Sequence, residues 1–70
     1  MNRPDVIATR LTKARKARML TRDDLAELTP CSSRTIGAIE RQESRLTVSM
    51  AVAFARVLHV KPAWLLDLEE

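Results

Sequence analysis

The 70-residue sequence predicts an all-α domain of five short helices, and three observations carry that prediction. Apolar residues recur at three- and four-residue intervals, the spacing of one helix face. Glycine occurs once and β-branched residues are scattered, so there is no pattern of alternating strands and tight turns. Helix-start residues (Pro4, Thr21, Ser32, Thr47 and Pro62) punctuate the chain.

Each element can be justified in order. Pro4 or Asp5 opens the first helix, proline suiting a first turn and aspartate complementing the helix dipole. Ile7, Leu11 and Ala14 then face inward, whereas Arg10, Lys13, Lys16 and Ala17 point elsewhere. Met19-Leu20 reads as an apolar hinge. Thr21 caps the second helix and Asp24, three residues on, completes a capping box. Leu25 and Leu28 give that helix its apolar side, and Thr29-Pro30 ends it, because proline disfavours helical geometry in the residue before it. Ser32 caps the third helix. A polar connection, Gln42 to Leu46, leads to a fourth helix capped by Thr47 and running from Val48 to about His59. That helix is apolar almost all round, the pattern of a helix central to a core. Pro62 starts a short fifth helix carrying Trp64, Leu65, Leu66 and Leu68.

Composition bounds the function. One domain of this size sits near the limit at which a single core holds a fold. A sequence that is 46% hydrophobic and 30% charged is that of an ordered globular protein. The net charge is +3 and unevenly spread. Residues 1–22 hold Arg3, Arg10, Lys13, Arg15, Lys16, Arg18 and Arg22 against Asp5 alone, while Asp67, Glu69 and Glu70 make the far end acidic. Such asymmetry implies a polyanion-facing end. One cysteine and one histidine build neither an internal disulfide nor a metal site, and no cofactor is expected. No apolar run approaches the ~20 residues of a membrane span, and the N-terminus lacks a signal-peptide core, so a cytoplasmic, nucleoid-associated protein is the expectation. There is no glycine-rich phosphate loop, no nucleophile beside a base and no evident carboxylate pair, so no enzymatic activity is expected.

The third helix has two unlike faces. Ile36 and Ile39 share one with Glu40; Ser33, Arg34, Gly37, Ala38 and Arg41 fall on the other. An outer face of small residues bracketed by arginines is a surface able to enter a DNA groove.

The run LAELTPCSSRTIGAIER, set between Arg15 and the Val48–Leu58 helix, resembles the Cro/C1-type (XRE-like) helix-turn-helix family of phage and bacterial regulators. The resemblance covers about residues 6–68, with Leu25-Ala26, Ile36-x-x-Ile39-Glu40-Arg41 and Val60-x-x-x-Trp64-Leu65-Leu66 its most specific parts. It implies a compact five-helix, lambda-repressor-like domain over 1–70, with the helix-turn-helix at about 21–41, the third helix in the major groove and a symmetric homodimer. It also implies an ion pair between Arg15 and Glu40. Three departures stand out: Pro30 where the turn usually has glycine, Gln42 in place of the glycine that often ends the third helix, and Gly37 in mid-helix, at a cost of ~1 kcal/mol relative to alanine.

Candidate contacts follow, each beside its plainer reading. Arg34, in the first turn of the third helix, is the best placed for base readout, since arginine can grip guanine O6 and N7 together; the alternative is a solvated arginine. Ser33, adjacent to Arg34, is a candidate to touch a base or a phosphate, Ala38 offers a methyl for thymine, and Gly37 either permits close approach or is simply tolerated. Arg22, Ser32, Arg41 and Arg45 are candidates for DNA phosphates, though each could equally be a solubilising group. Cys31 reads as a small buried hydrophobe in preference to a redox sensor, His59 as a complement to a helix dipole, and Trp64 as core in preference to a dimer anchor. Leu46, Val48, Leu65 and Leu68 are the candidates for a dimer interface, because so short a tail carries more apolar side chains than one helix easily buries.

The function expected from these residues is sequence-specific DNA binding by a dimeric transcriptional regulator on an inverted repeat, with autorepression by exclusion of polymerase the simplest output. The rival expectation is an antitoxin-like or adaptor protein that binds a partner, a toxin or RNA polymerase, through its apolar C-terminal region.

Overall fold

The computed structural model describes residues 2–69; Met1 and Glu70, the latter counted above in the acidic end, lie outside the described residues. Five helices follow one another: α1 (Pro4–Ala17), α2 (Arg22–Leu28), α3 (Ser33–Glu40), α4 (Val48–Leu58) and α5 (Pro62–Leu65). Among the described residues there is no strand, and no helix is long and apolar enough to cross a membrane. The fold is all-α, built as the helix-start residues direct. Pro4 and Pro62 lie in the first turns of α1 and α5, where a missing N–H costs nothing. Thr21, Ser32 and Thr47 each accept a hydrogen bond from a first-turn amide of the helix they precede.

Every helix sends a side chain to one shared centre. Leu11, Leu25, Ile36, Ile39, Phe54 and Leu65 are fully buried there, from α1 to α5 in turn. In the packing order α1 rests on α3 and α5, α2 on α3 and α4, and α4 on α5. Trp64 lies half-buried against this core. The expectation that α4 is enclosed on all sides is corrected: Ala51, Phe54, Ala55 and Leu58 are buried, but Val48 and Val52 are 67% and 42% exposed. Its main packing partners are α2 and α5, and among the described residues Val48 and Val52 are left largely uncovered.

Four helix ends are closed by residues in the left-handed conformation, none of them glycine. Met19 (φ 58°), Gln42 (φ 64°), His59 (φ 59°) and Asp67 (φ 58°) follow α1, α3, α4 and α5. The chain then folds back so that amides bond to carbonyls five residues earlier: Leu20 to Arg15, Glu43 to Ala38, Val60 to Ala55 and Leu68 to Ala63. Thus Gln42 ends α3 in the geometry glycine would adopt, and the Met19-Leu20 pair is a fixed cap and not a hinge. His59 is such a cap as well, its Nδ1 3.3 Å from Arg18 Nη1.

Two arginines of the basic end bond to the C-terminal segment. Arg3 donates from its backbone N (3.0 Å) and Nε (2.7 Å) to Asp67 Oδ2 and from Nη2 (2.9 Å) to Oδ1. Asp67, counted above in the acidic end, is buried. Arg10, which helical spacing directs away from the core, instead crosses to the C-terminal segment. Its Nη1 donates to the carbonyls of Trp64 (2.6 Å) and Glu69 (2.8 Å), and its guanidinium lies 5.0 Å from the centre of the Trp64 ring.

Two outcomes are expected. Met19 is 91% exposed and makes no use of its side chain, so Met19→Gly removes a left-handed penalty of about 1 kcal/mol and raises the melting temperature by about 4–8 °C in a circular-dichroism melt. The bonds from Arg3 hold the Asp67 carboxyl well below the usual carboxylate range. The unfolded chain therefore takes up the proton first on acidification, and this stabilisation, complete at neutral pH, drains away as pH falls through about 4 and below. Melting temperature plotted against pH should show a shallower acid decline in Asp67→Asn, from a lower plateau.

Candidate nucleic-acid interface

The segment from Thr21 to Arg41 forms two helices joined by a turn whose local chemistry accounts for its shape. Thr21 Oγ1 accepts from Asp24 N (3.0 Å) and Asp24 Oδ2 accepts from Thr21 N (2.9 Å), a reciprocal cap that lowers the Asp24 carboxyl. Pro30 keeps Thr29 extended (φ −136°, ψ 163°). No residue between Leu20 and Arg41 has a positive φ, so this turn is made without the left-handed residue that glycine would supply, and proline is accommodated. Cys31 is half-buried against the core, and burial pushes its thiol up, away from reactive thiolate. Ser32 Oγ accepts from Thr35 N at 3.1 Å and starts α3.

α3 is held by one carboxylate. Arg15 of α1 donates from Nε to Glu40 Oε2 (2.8 Å) and from Nη2 to Oε1 (3.0 Å), while its Nη1 reaches the Leu20 carbonyl (2.8 Å). Arg22 of α2 donates from Nε to the same Oε1 at 3.1 Å. The Glu40 side chain is 2% exposed. Burial pushes its carboxyl up, but the bonds from Arg15 and Arg22 outweigh this and keep it below its ordinary value; Glu40 in turn raises Arg15. Among the described residues no buried side-chain nitrogen or oxygen lacks a partner. Spacing alone does not reveal Arg22 as the second partner of Glu40, because the contact depends on the angle between α2 and α3.

The outer face of α3 is less open than its sequence implies. Arg34 is exposed in the first turn and, among the described residues, makes no ion pair or hydrogen bond. Ser33 Oγ donates to Asp23 Oδ1 across the turn. Gly37 is buried, which corrects its placement on a bare surface. A methyl group built there would lie 2.9 Å from Arg41 Nη1 and 3.3 Å from Arg22 Nη1, so the two guanidinium groups cover it. Ala38 is half-buried, Arg45 is exposed, and Arg41 Nε pairs with Glu43 Oε1 at 3.2 Å on the surface. A shallow depression bounded by Arg15, Thr21, Arg22, Asp23, Ser33 and Arg34 brings the starts of α2 and α3 together. Asp23 is the member that sequence reasoning left out; read singly, it is only a helix-start residue. Among the described residues there is no cluster of His, Cys, Asp or Glu able to hold a metal ion.

The four residues expected at a dimer surface divide. Leu46 and Leu65 are 5% and 0% exposed and belong to the core, a correction whose cause is that the short α5 turns Leu65 back onto α4. Val48 and Leu68 remain exposed, together with Val52.

Removing the shared carboxylate strands two arginines. Glu40→Gln should lower the unfolding free energy by about 3 kcal/mol, the scale for breaking a buried pair. Chemical denaturation with circular dichroism measures this directly; a loss below about 1 kcal/mol would mean that solvent compensates Arg15.

Comparison with known proteins places this geometry. The family model HTH_3, described as helix-turn-helix, matches residues 11–65. No curated protein matches the chain. Among solved structures, an HTH_3 family transcriptional regulator from Vibrio cholerae is 34% identical and superposes with a TM-score of 0.80 over 89% of this chain. This chain spans about a third of that protein's length, 35%. The restriction-modification controller protein C.AhdI from Aeromonas hydrophila is 24% identical, with a TM-score of 0.82 over 89% of this chain and 94% of its own, a likeness of fold. The match over most of the sequence, with the same five-helix architecture, makes this chain a member of HTH_3, the Cro/C1-type helix-turn-helix family.

Proposed function

We propose that the chain is a sequence-specific DNA-binding transcriptional regulator that inserts α3 into the major groove. The observation that carries this reading is Arg34: an exposed cation in the first turn of α3, without a partner among the described residues, beside a depression that further arginines border. The inner face of the same helix, Ile36 and Ile39, is fully engaged in the core, so the helix presents Arg34 from a rigid base. Arg22, Arg41 and Arg45 supply sequence-independent attraction to phosphates. The name of the Vibrio cholerae relative, a transcriptional regulator, supports the same reading. Two copies on an inverted repeat would set their recognition helices about 34–36 Å apart, and autorepression is the simplest regulatory outcome.

A second reading rests on the exposed side of α4. Val48 and Val52, with Leu68, are apolar and uncovered, a surface for a second copy or for a protein partner in an adaptor-like role. Under that reading Arg34 has no task.

Titration of fluorescent duplexes at near-physiological salt separates the two. One duplex carries the DNA directly upstream of the gene, the other a scrambled sequence of equal length. The expected result is a preference of roughly 10³-fold or more for the upstream DNA, with Arg34→Ala costing about 1–3 kcal/mol on that duplex and little on the scrambled one. Equal, weak binding of both duplexes that ignores the substitution would overturn the groove-reading role.

A further inference from the structure

We propose that the cavity between the start of α1 and the end of α3 is a binding site for a small carboxylate with an apolar body, and that its occupancy weakens DNA binding. The site stands on the protein's own geometry; its effect on DNA rests on the DNA-binding reading above. The cavity measures about 430 Å³, within the range of small-molecule sites. Its apolar lining comes from four separate parts of the chain: Ile7 of α1, Ile39 of α3, Leu46 before α4 and Leu66 after α5. These four belong to the buried core, so the floor of the cavity is the core itself. Gln42 (φ 64°) reverses the chain at the end of α3, and the loop that follows lines one part of the cavity while Asn2 and Pro4 line another.

The polar groups sit around that floor. Asn2, Gln42, Ser44 and Arg45 line the cavity and are exposed, and among the described residues their side chains make no hydrogen bond or ion pair. Glu43, the one carboxylate of the lining, is held by Arg41 at 3.2 Å. The cavity therefore offers one uncommitted cation and three neutral hydrogen-bonding groups. That set selects the ligand. An apolar floor takes a hydrocarbon body, and a single guanidinium takes a single carboxylate, which its fork matches with two parallel bonds. A doubly charged phosphate ester fits less well, because Glu43 adds a negative charge to the same rim, and an amine finds only a carboxylate that Arg41 already holds. Arg45 is also one of the arginines assigned above to DNA phosphates. A carboxylate in the cavity occupies it, so ligand and DNA compete for one side chain, and by linkage each lowers the affinity of the other by the same factor.

The probes are phenylacetate, its neutral isostere phenylacetamide and the cation phenethylammonium, titrated at constant ionic strength and followed by amide NMR. Phenylacetate should shift the amides of Ile7, Ile39, Leu46 and Leu66 together. Arg45→Gln should weaken it about tenfold, the scale of one charge-assisted bond, and phenylacetamide should bind wild type as weakly as phenylacetate binds that variant. Arg56→Gln, which removes an exposed arginine outside the cavity lining, should bind phenylacetate like wild type. Equal losses in the two variants, equal binding of the three probes, or no cavity shift with any of them overturns the site. So do cavity shifts that grow with protein concentration alone, which would assign the cavity to a second copy. For the effect on DNA, saturating phenylacetate should weaken both duplexes by the factor that Arg45→Gln alone does, and do nothing further in that variant. Unchanged DNA affinity with the cavity filled overturns the competition. Wild type that binds neither duplex overturns the DNA reading instead, and the amide shifts still decide the site.

Discussion

Glu40 sits at the end of α3 with its carboxylate enclosed by guanidinium groups from α1 and α2, and the orientation of the outer face of α3 follows from that arrangement. The apolar contacts of Ile36 and Ile39 fix the depth of α3 in the core, but apolar packing is not directional and would tolerate some rotation about the helix axis. The two-pronged bond from Arg15 is directional. Together they define which residues of α3 point outward. The same carboxylate disposes of a problem of charge: three helix starts and ends carrying arginine are brought together, and one buried anion lets two of those cations approach.

The outer face of α3 consequently separates into regions of different character. At its start Ser33 is tied to Asp23, and Arg34 is exposed without a partner among the described residues. In its middle, Gly37 lies beneath Arg22 and Arg41. Under the DNA-binding reading proposed above, Asp23 would repel phosphate and leave the exposed Arg34 to a neutral base edge. Clustered arginines with weakly held partners are suited to affinity. Stability and recognition thus draw on the same residue type, divided by how completely each guanidinium is paired inside the protein.

Much of the fold was legible in the residues themselves. Thr21, Ser32 and Thr47 are caps whose oxygen chemistry operates within three residues, and local chemistry survives folding unchanged. The inward residues Ile7, Leu11, Leu25, Ile36 and Ile39 follow from periodicity. What could not be read depends on the angles between helices. Leu65 looks like surplus apolar area in a short tail, yet α5 turns it fully inward; Val48 and Val52 look central, yet both are exposed on α4. Arg10 and Asp67 lie far apart in sequence from their partners, and no spacing rule connects such positions. For the site, the two faces of α3 and the outward position of Arg34 could be placed from a helical projection. The covering of Gly37 could not, because long arginine side chains from two elements meet above it.

The bond between Arg3 and Asp67 spans 64 positions of the sequence, and that separation has a kinetic meaning. Joining segments so remote costs loop entropy before any contact is returned, so this pairing is expected to form after the helices have docked and to be absent from the folding transition state. An interaction of that kind leaves the folding rate unchanged and slows unfolding. Arg3 and Asp67, at the margins of the core and outside its apolar centre, would thereby govern the lifetime of the native state more than the speed of reaching it.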